Sequence, residues 1–379
     1  SNCKVTGTDQ SARVTTGNIG YKNGTEIDNN VYVGGIVGLD NGVVSNCRVE
    51  GVKVGVTKSI SSTVAYVGGI AGVNKKQITN SNYTAKAGLS NTIIANEQCT
   101  TYLGGIAGMN EGRIEKSYLS SSIVNNIETY VNLTGSVLPD KSHTGGITAY
   151  NKETILQSFA KASMEGRNAG GIVAINQGTI SECYAEGSVT GHLVGGIAYI
   201  VSNGTISNCY TLCSLNGVDK KSVKAGFAYD ITLVSDAKKL ASMEHCFAAV
   251  SFGGSGKSYY ETQCAARRDP YTVALIYHYE RISGYLVDCI YDYSTAGDAE
   301  TANTKFWDWD KFPWRSPEKI ISDYNSDRNY YSYQYDCGMS TDEIKSTQGQ
   351  NVFMTYGYDF GIWSFSNGYP QLKNVVKAN

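Results

Sequence analysis

Charge is scarce in this chain. Only 17% of its 379 residues are Asp, Glu, Lys or Arg, and the formal net charge is −2. A nucleic-acid binder needs a basic face or excess, so no nucleic-acid partner is expected. Long apolar runs are missing too: nothing approaches the ~18 uncharged residues a spanning helix needs, so no membrane insertion is expected of this segment. Disorder is excluded from the other side, because 41% of the residues are apolar. Histidine is rare. None of His143, His192, His245 and His278 falls in a His-Glu-x-x-His pattern or at metal-ligand spacing, which sets aside zinc-peptidase chemistry in this segment. There is no Gly-x-Ser-x-Gly elbow and no phosphate-cradling Gly-rich loop ending in Lys-Ser/Thr.

Glycine and tyrosine are abundant, 42 and 28 residues. That balance suits β structure with many tight turns. The length would hold two or three ordinary domains at ~150 residues each, but a repeat relaxes that rule. A Gly-Gly-Ile triplet recurs at Gly34, Gly68, Gly104, Gly145, Gly170 and Gly195. The distance from its first Gly to a closing Cys or Ser is 13 residues in five copies and 14 in the sixth, where one residue is inserted before Asn203. A constant unit with variable connectors predicts a fixed coil with loops inserted at a corner.

Within the unit no helical period appears. It reads as a short strand, Val33 to Val37, a turn at Asp40, Asn74, Asn110, Asn151 or Asn176, and a second strand carrying Val44, Ile78, Ile114, Ile155, Ile180 or Ile206. Asn, with Gly two places on in several copies, tolerates the left-handed turn region. The apolar residue and the following Cys or Ser differ in parity, so the chain must bend between them. One unit of about 25 residues cannot bury a face alone, whereas stacked units can. The expected fold is all-β, a parallel β-solenoid or β-helix with Ile, Asn and Cys/Ser columns. A β-propeller is the runner-up, but the unit is short for a four-stranded blade.

The regular coils end near 215, and degenerate copies continue toward 295: Ala225-Gly226-Phe227, His245-Cys246-Phe247 and Asp288-Cys289-Ile290. The first residues, Ser1-Asn2-Cys3, match Ser45-Asn46-Cys47, so the chain reads as a piece of a longer protein with other domains. Residues 296–379 hold all four Trp, a Tyr-rich run and the capping-box pattern Ser340-Thr341-Asp342-Glu343, and are expected to form a C-terminal cap with a short helix.

The pattern Gly-Gly-Ile-Ala-Gly-x-Asn-x-Gly-x-Ile-x-x-Cys-Tyr resembles the GLUG-motif repeat of bacterial surface proteins. The stretches Met339 to Lys345 and Asp359 to Leu372 are similar to the segment that closes such arrays. The resemblance is strong over 30–215, good over 337–373 and weak over 216–336. It implies secretion to a bacterial cell surface, in adhesins or in the non-catalytic regions of immunoglobulin A-cleaving metallopeptidases. It carries no catalytic motif and transfers no functional residue.

Candidate chemistry is sparse. Asp40, Glu115, Glu165, Glu182 and Glu186 are scattered rather than convergent, as a β-helical carbohydrate-active enzyme would need. The acidic stretch Asp288, Asp292, Asp298, Glu300, Asp308 and Asp310 has oxygen ligands for Ca²⁺ but not the spacing of a calcium loop. Cys3, Cys47, Cys183, Cys209, Cys246 and Cys289 share one repeat position with Ser81, Ser117 and Ser158, which favours thiols packed as small residues over disulfides. Secretion would favour bridges. The sequons at Asn23, Asn82, Asn132 and Asn203 are read as chance.

Specific function is expected where the pattern breaks: the loops 85–100 and 119–143, and above all Trp307, Trp309, Trp314, Tyr324, Tyr330 and Tyr331. These aromatics suit either cap packing or a platform for a host glycan or extracellular protein. The reading is a non-enzymatic extracellular domain acting in adhesion or as a spacer, with no cofactor and no metal. The alternatives are an accessory region of a surface peptidase or carbohydrate-active enzyme, and a filament subunit.

Overall fold

In the computed structural model each Gly-Gly-Ile unit is one coil of four short strands. The structure describes residues 1–16, 30–56, 64–87, 89, 91–95, 99–120, 122–124, 127–129, 131–135, 142–232, 241–259, 285–296, 336–365 and 368–375. A representative coil runs Ser142–Gly145, Thr148–Asn151, Thr154–Leu156 and Phe159–Glu165. Like strands of successive coils pair in parallel and in register, for example Gly68 with Gly104, Gly145, Gly170, Gly195 and Ala225. The described strands form four long sheets of eight, seven, eight and fifteen strands, here called faces one to four in chain order around a coil. The chain is therefore a parallel β-solenoid.

Each corner has a different chemistry. Between faces one and two lies Gly-Gly-Ile. A Cβ on Gly68 would stand 2.0 Å from the Ala71 carbonyl oxygen, and one on Gly69 2.3 Å from that of Gly105. Neither position admits a side chain. The triplet is thus a corner, not the middle of the strand expected from Val33 to Val37: Val31–Gly34 ends at its first glycine and Val37–Asp40 begins after it. The Ile points inward. Ile70, Ile106, Ile147, Ile172 and Ile197 are fully buried, Ile36 is half-buried, and backbone bonds run from one to the next. Phe227 continues the column in the degenerate coil.

Between faces two and three the Asn residues form an amide ladder. Asn74 Nδ2 donates to Asn110 Oδ1 at 2.6 Å, Asn110 to Asn151 at 2.8 Å and Asn151 to Asn176 at 2.8 Å. The sixth coil pairs Val201 with Asn176, so the inserted residue moves Asn203 out of the column. The ladder ends there, with Asn176 donating to the Thr205 carbonyl instead.

Between faces three and four sits the bend that parity demanded. Asn46, Asn80, Lys116, Gln157, Glu182, Asn208, His245 and Asp288 all adopt φ between 48 and 53°. The next residue is the Cys or Ser. Ser117 Oγ donates to the Glu115 carbonyl at 3.0 Å and accepts from the Ser81 N–H at 3.2 Å. Cys183 Sγ donates to the Ser181 carbonyl at 3.2 Å in the same way. Cys and Ser interchange because each supplies one short donor to the carbonyl two residues back. Cys47, Cys183, Cys209, Cys246 and Cys289 are buried and unbridged, and burial pushes the Cys209 thiol up.

The loop insertions are partly sheet. Thr92–Ala95 pairs with Lys53–Val56 and with Val131–Gly135, widening face four. Buried Ile93 and Leu133 supply the apolar side. Ser122–Val124 and Ile127–Thr129 form an antiparallel hairpin.

At the C-terminal end Asp336–Met339 adds the last described strand of face four. The capping box forms at Ser340: its Oγ accepts from Glu343 N–H, and the Glu343 carboxylate accepts from Ser340 N–H at 2.8 Å. Two helices follow, α1 (Thr341–Ile344) and α2 (Thr347–Thr355), rather than one. This segment lies along the outer side of face four. There Phe159, Tyr210, Phe247 and Ile290 share a second core with Val352, Phe353, Tyr358 and Trp363, while their neighbours Ala160, Ala185 and Ala248 line the inner core.

Candidate functional site

Stacking identical coils puts like residues one strand spacing apart, about 4.8 Å. An outward aromatic that recurs in the repeat therefore becomes a ladder of parallel rings. Among the described residues two such ladders run through four coils each.

The ladder on face four is Tyr118, Phe159, Tyr184 and Tyr210, with centroids 4.8, 4.7 and 4.7 Å apart and rings within 3° of parallel. The C-terminal segment covers its end. Trp363 is fully buried, leans on Tyr210 at 6.2 Å and donates from Nε1 to Asn208 Oδ1 at 3.1 Å. Tyr358 donates to the Cys246 carbonyl at 2.7 Å. Asp292 is buried and accepts from Ser294 N–H at 2.8 Å, Thr341 Oγ1 at 2.6 Å and the Tyr369 hydroxyl at 2.7 Å. This carboxylate pins the segment to its coil.

The ladder on face one is Tyr32, Tyr66, Tyr102 and His143, each two residues before its Gly-Gly pair. The rings stand 5.6, 5.2 and 5.1 Å apart and tilt by no more than 15°. Tyr32 is 38% exposed, and Tyr66, Tyr102 and His143 are half-buried. Gly72 lets faces one and two approach closely, since a Cβ there would stand 2.7 Å from Val33 N. On face two Val73 and Met109 are buried, and half-buried Tyr150 meets Tyr102 at 5.7 Å. Lys152 lies 5.3 Å from the Tyr150 centroid and pairs with Glu111 at 2.9 Å. Lys75 joins Glu111 at 3.9 Å. The Tyr150 hydroxyl is engaged by Gln177 at 2.6 Å.

The electrostatics of this site are those of a neutral surface. Burial, then the neighbouring phenols, pushes Tyr66 up to about 12. Burial likewise raises Tyr102 and Tyr150. It lowers His143 to about 4, and the His143 Nδ1 is buried without a hydrogen-bond partner. Because each ring covers its neighbour's face, the ladder presents edges and hydroxyls rather than stacking planes. The hydroxyls of Tyr32, Tyr66 and Tyr102 make no hydrogen bond to the described residues. Each is both donor and acceptor.

The aromatics singled out from the sequence, Trp307, Trp309, Trp314, Tyr324, Tyr330 and Tyr331, lie outside the described residues. So do Asp298, Glu300, Asp308 and Asp310 of the acidic stretch. Of its remaining members, Asp292 serves the C-terminal segment and Asp288 pairs with His245 at 3.8 Å. Among the described residues no three His, Cys, Asp or Glu cluster as metal ligands. The face-one ladder lies upstream of Gly-Gly, outside the unit that runs from Gly-Gly to the closing Cys or Ser. Its signal, Tyr two residues upstream in three successive copies, is plain in the sequence.

The model of the GLUG motif matches residues 165–190, which span the coil corner at Gly170-Gly171 and the αL bend at Glu182. The register of the other coils repeats that of this one, so the chain is a GLUG-repeat-like solenoid, of a kind found in surface-type proteins. No curated protein and no solved structure matches the chain.

Proposed function

We propose that this chain is a non-catalytic extracellular domain of a bacterial cell-surface protein and that it acts in adhesion, binding a host glycan or extracellular protein. The observation that carries this reading is the contrast between the ladders. The C-terminal segment packs against one ladder at Phe159 and Tyr210, whereas every ring of the other remains partly exposed and the hydroxyls of Tyr32, Tyr66 and Tyr102 meet no partner among the described residues. Exposed amphipathic aromatics in a row are the residue type that binding hot spots favour.

The purified chain, applied to arrays of glycans and extracellular proteins, is expected to retain at least one ligand. The Tyr66→Ala, Tyr102→Ala double variant is expected to lose it while keeping its β circular dichroism. Retention unchanged in that variant would sink the reading. So would hydrolysis of a polysaccharide or protein by the purified chain.

A further inference from the structure

We infer that the face-one ladder is a binding site for an uncharged, extended, β-linked glycan lying along the solenoid axis. The inference rests on the binding reading above and names its ligand class.

Spacing is the first argument. Four ring edges, Tyr32, Tyr66, Tyr102 and His143, stand in line 5.6, 5.2 and 5.1 Å apart. An extended β-linked pyranose chain rises by a closely similar step per sugar, so one sugar falls opposite each ring position, and hydroxyls that both donate and accept suit the alternating edges that successive sugars present. A peptide does not, since a strand advances about 3.3 Å per residue. The match holds only because coils 31–34, 64–68, 100–104 and 142–145 are in register with no slip.

Hydrogen-bond chemistry is the second. Ring faces are hidden by mutual stacking, leaving hydroxyls that both donate and accept. A sugar chain offers the same group in the same dual role, whereas an apolar helix would leave these hydroxyls buried without partners, at a cost. Half-buried Tyr150, 5.7 Å from Tyr102, gives the C–H face of a sugar an apolar contact beside the row.

Charge is the third. No ladder member is charged at neutral pH, and the nearest ions, Lys75, Glu111 and Lys152, are paired with one another. Nothing here would repay an anionic glycan for its lost hydration.

The test is titration calorimetry of the whole chain with defined oligosaccharides: cello- and chito-oligosaccharides of two to six sugars, malto-oligosaccharides as the α-linked control, and polygalacturonate as the anionic control. Affinity is expected to rise with length to the tetrasaccharide, level off, favour the β-linked series, and change little with salt. Tyr66→Phe and Tyr102→Phe keep the stack and remove one hydroxyl each. Each is expected to weaken binding by roughly three- to tenfold. Binding unaffected by both variants, equal binding of the α-linked series, or a preference for polygalacturonate overturns the glycan assignment. Capture of an extracellular protein through Tyr66 and Tyr102 with no oligosaccharide bound overturns the assignment but leaves the binding reading standing. Failure of every ligand removes both.

Discussion

The two aromatic ladders are built alike and end differently. Both arise from one ring per coil at a fixed place in the repeat, and both stack at nearly the strand spacing. On face four part of the ladder becomes core: Phe159 and Tyr210 are at most 4% exposed and Trp363 packs on Tyr210, while Tyr118 and Tyr184 are half-buried. On face one the rings stay at the surface. The difference shows that a repeat fixes where rings stand but not whether they are covered. Covering requires a segment that can reach. Trp363 reaches Asn208 across 155 residues of chain, and Tyr358 reaches Cys246 across 112.

The largest expected effect breaks the covered ladder. Trp363→Ala removes a fully buried indole and should cost about 3–5 kcal/mol in urea unfolding, with hydrogen exchange in 341–375 accelerated first. An unchanged midpoint would mean that the segment does not depend on this anchor.

Acid separates the ladders next. The folded pKa of His143 is depressed to about 4 from 6.5, so its contribution is fully present above pH 6.5 and is lost as pH falls through about 4. The loss should approach about 3 kcal/mol and vanish in His143→Phe. Alkali works with the opposite sign. Tyr66 is raised to about 12 from 10.0, so its contribution is complete below pH 10 and is lost as pH rises through about 12. Tyr184 and Tyr210 are raised further by deeper burial. Phenolate absorbance should therefore appear at Tyr66 before Tyr184 and Tyr210; the reverse order would contradict their deeper burial.

A smaller effect lies outside both ladders. Asp40 occupies the first place of the amide column, where its Oδ1 accepts from Gly42 N–H but its Oδ2 is buried without a partner. Asp40→Asn gives that atom protons to donate and should stabilise the protein by about 1 kcal/mol in thermal or urea unfolding. Tyr66→Phe is the smallest: the ring and its stacking stay, so stability should move by less than about 0.5 kcal/mol while ligand binding weakens.

Much of this architecture is written in single residues. Gly68-Gly69, Ile70 and Asn74 each hold their place because the next coil's backbone lies one strand spacing away, and the same offset recurs in every regular copy. The parity mismatch before Cys47 or Ser117 already demanded a bend, and the αL residues supply it. Other features left weaker marks. The strands Thr92–Ala95 and Val131–Gly135 read as loops because they fall in the variable connectors, at no fixed offset from the closing Cys or Ser, although they pair with one another across coils.

The sequence by itself determined the coil, its in-register columns and the four-position row of rings upstream of Gly-Gly, because each depends only on offsets within one unit repeated at a constant step. Tertiary structure alone decided that the C-terminal helices run along face four, that Asp292 holds them there, and that the hydroxyls of Tyr32, Tyr66 and Tyr102 meet no partner among the described residues. Those outcomes depend on which distant segment reaches which face first and buries more apolar area there, and no local pattern of residues encodes that competition.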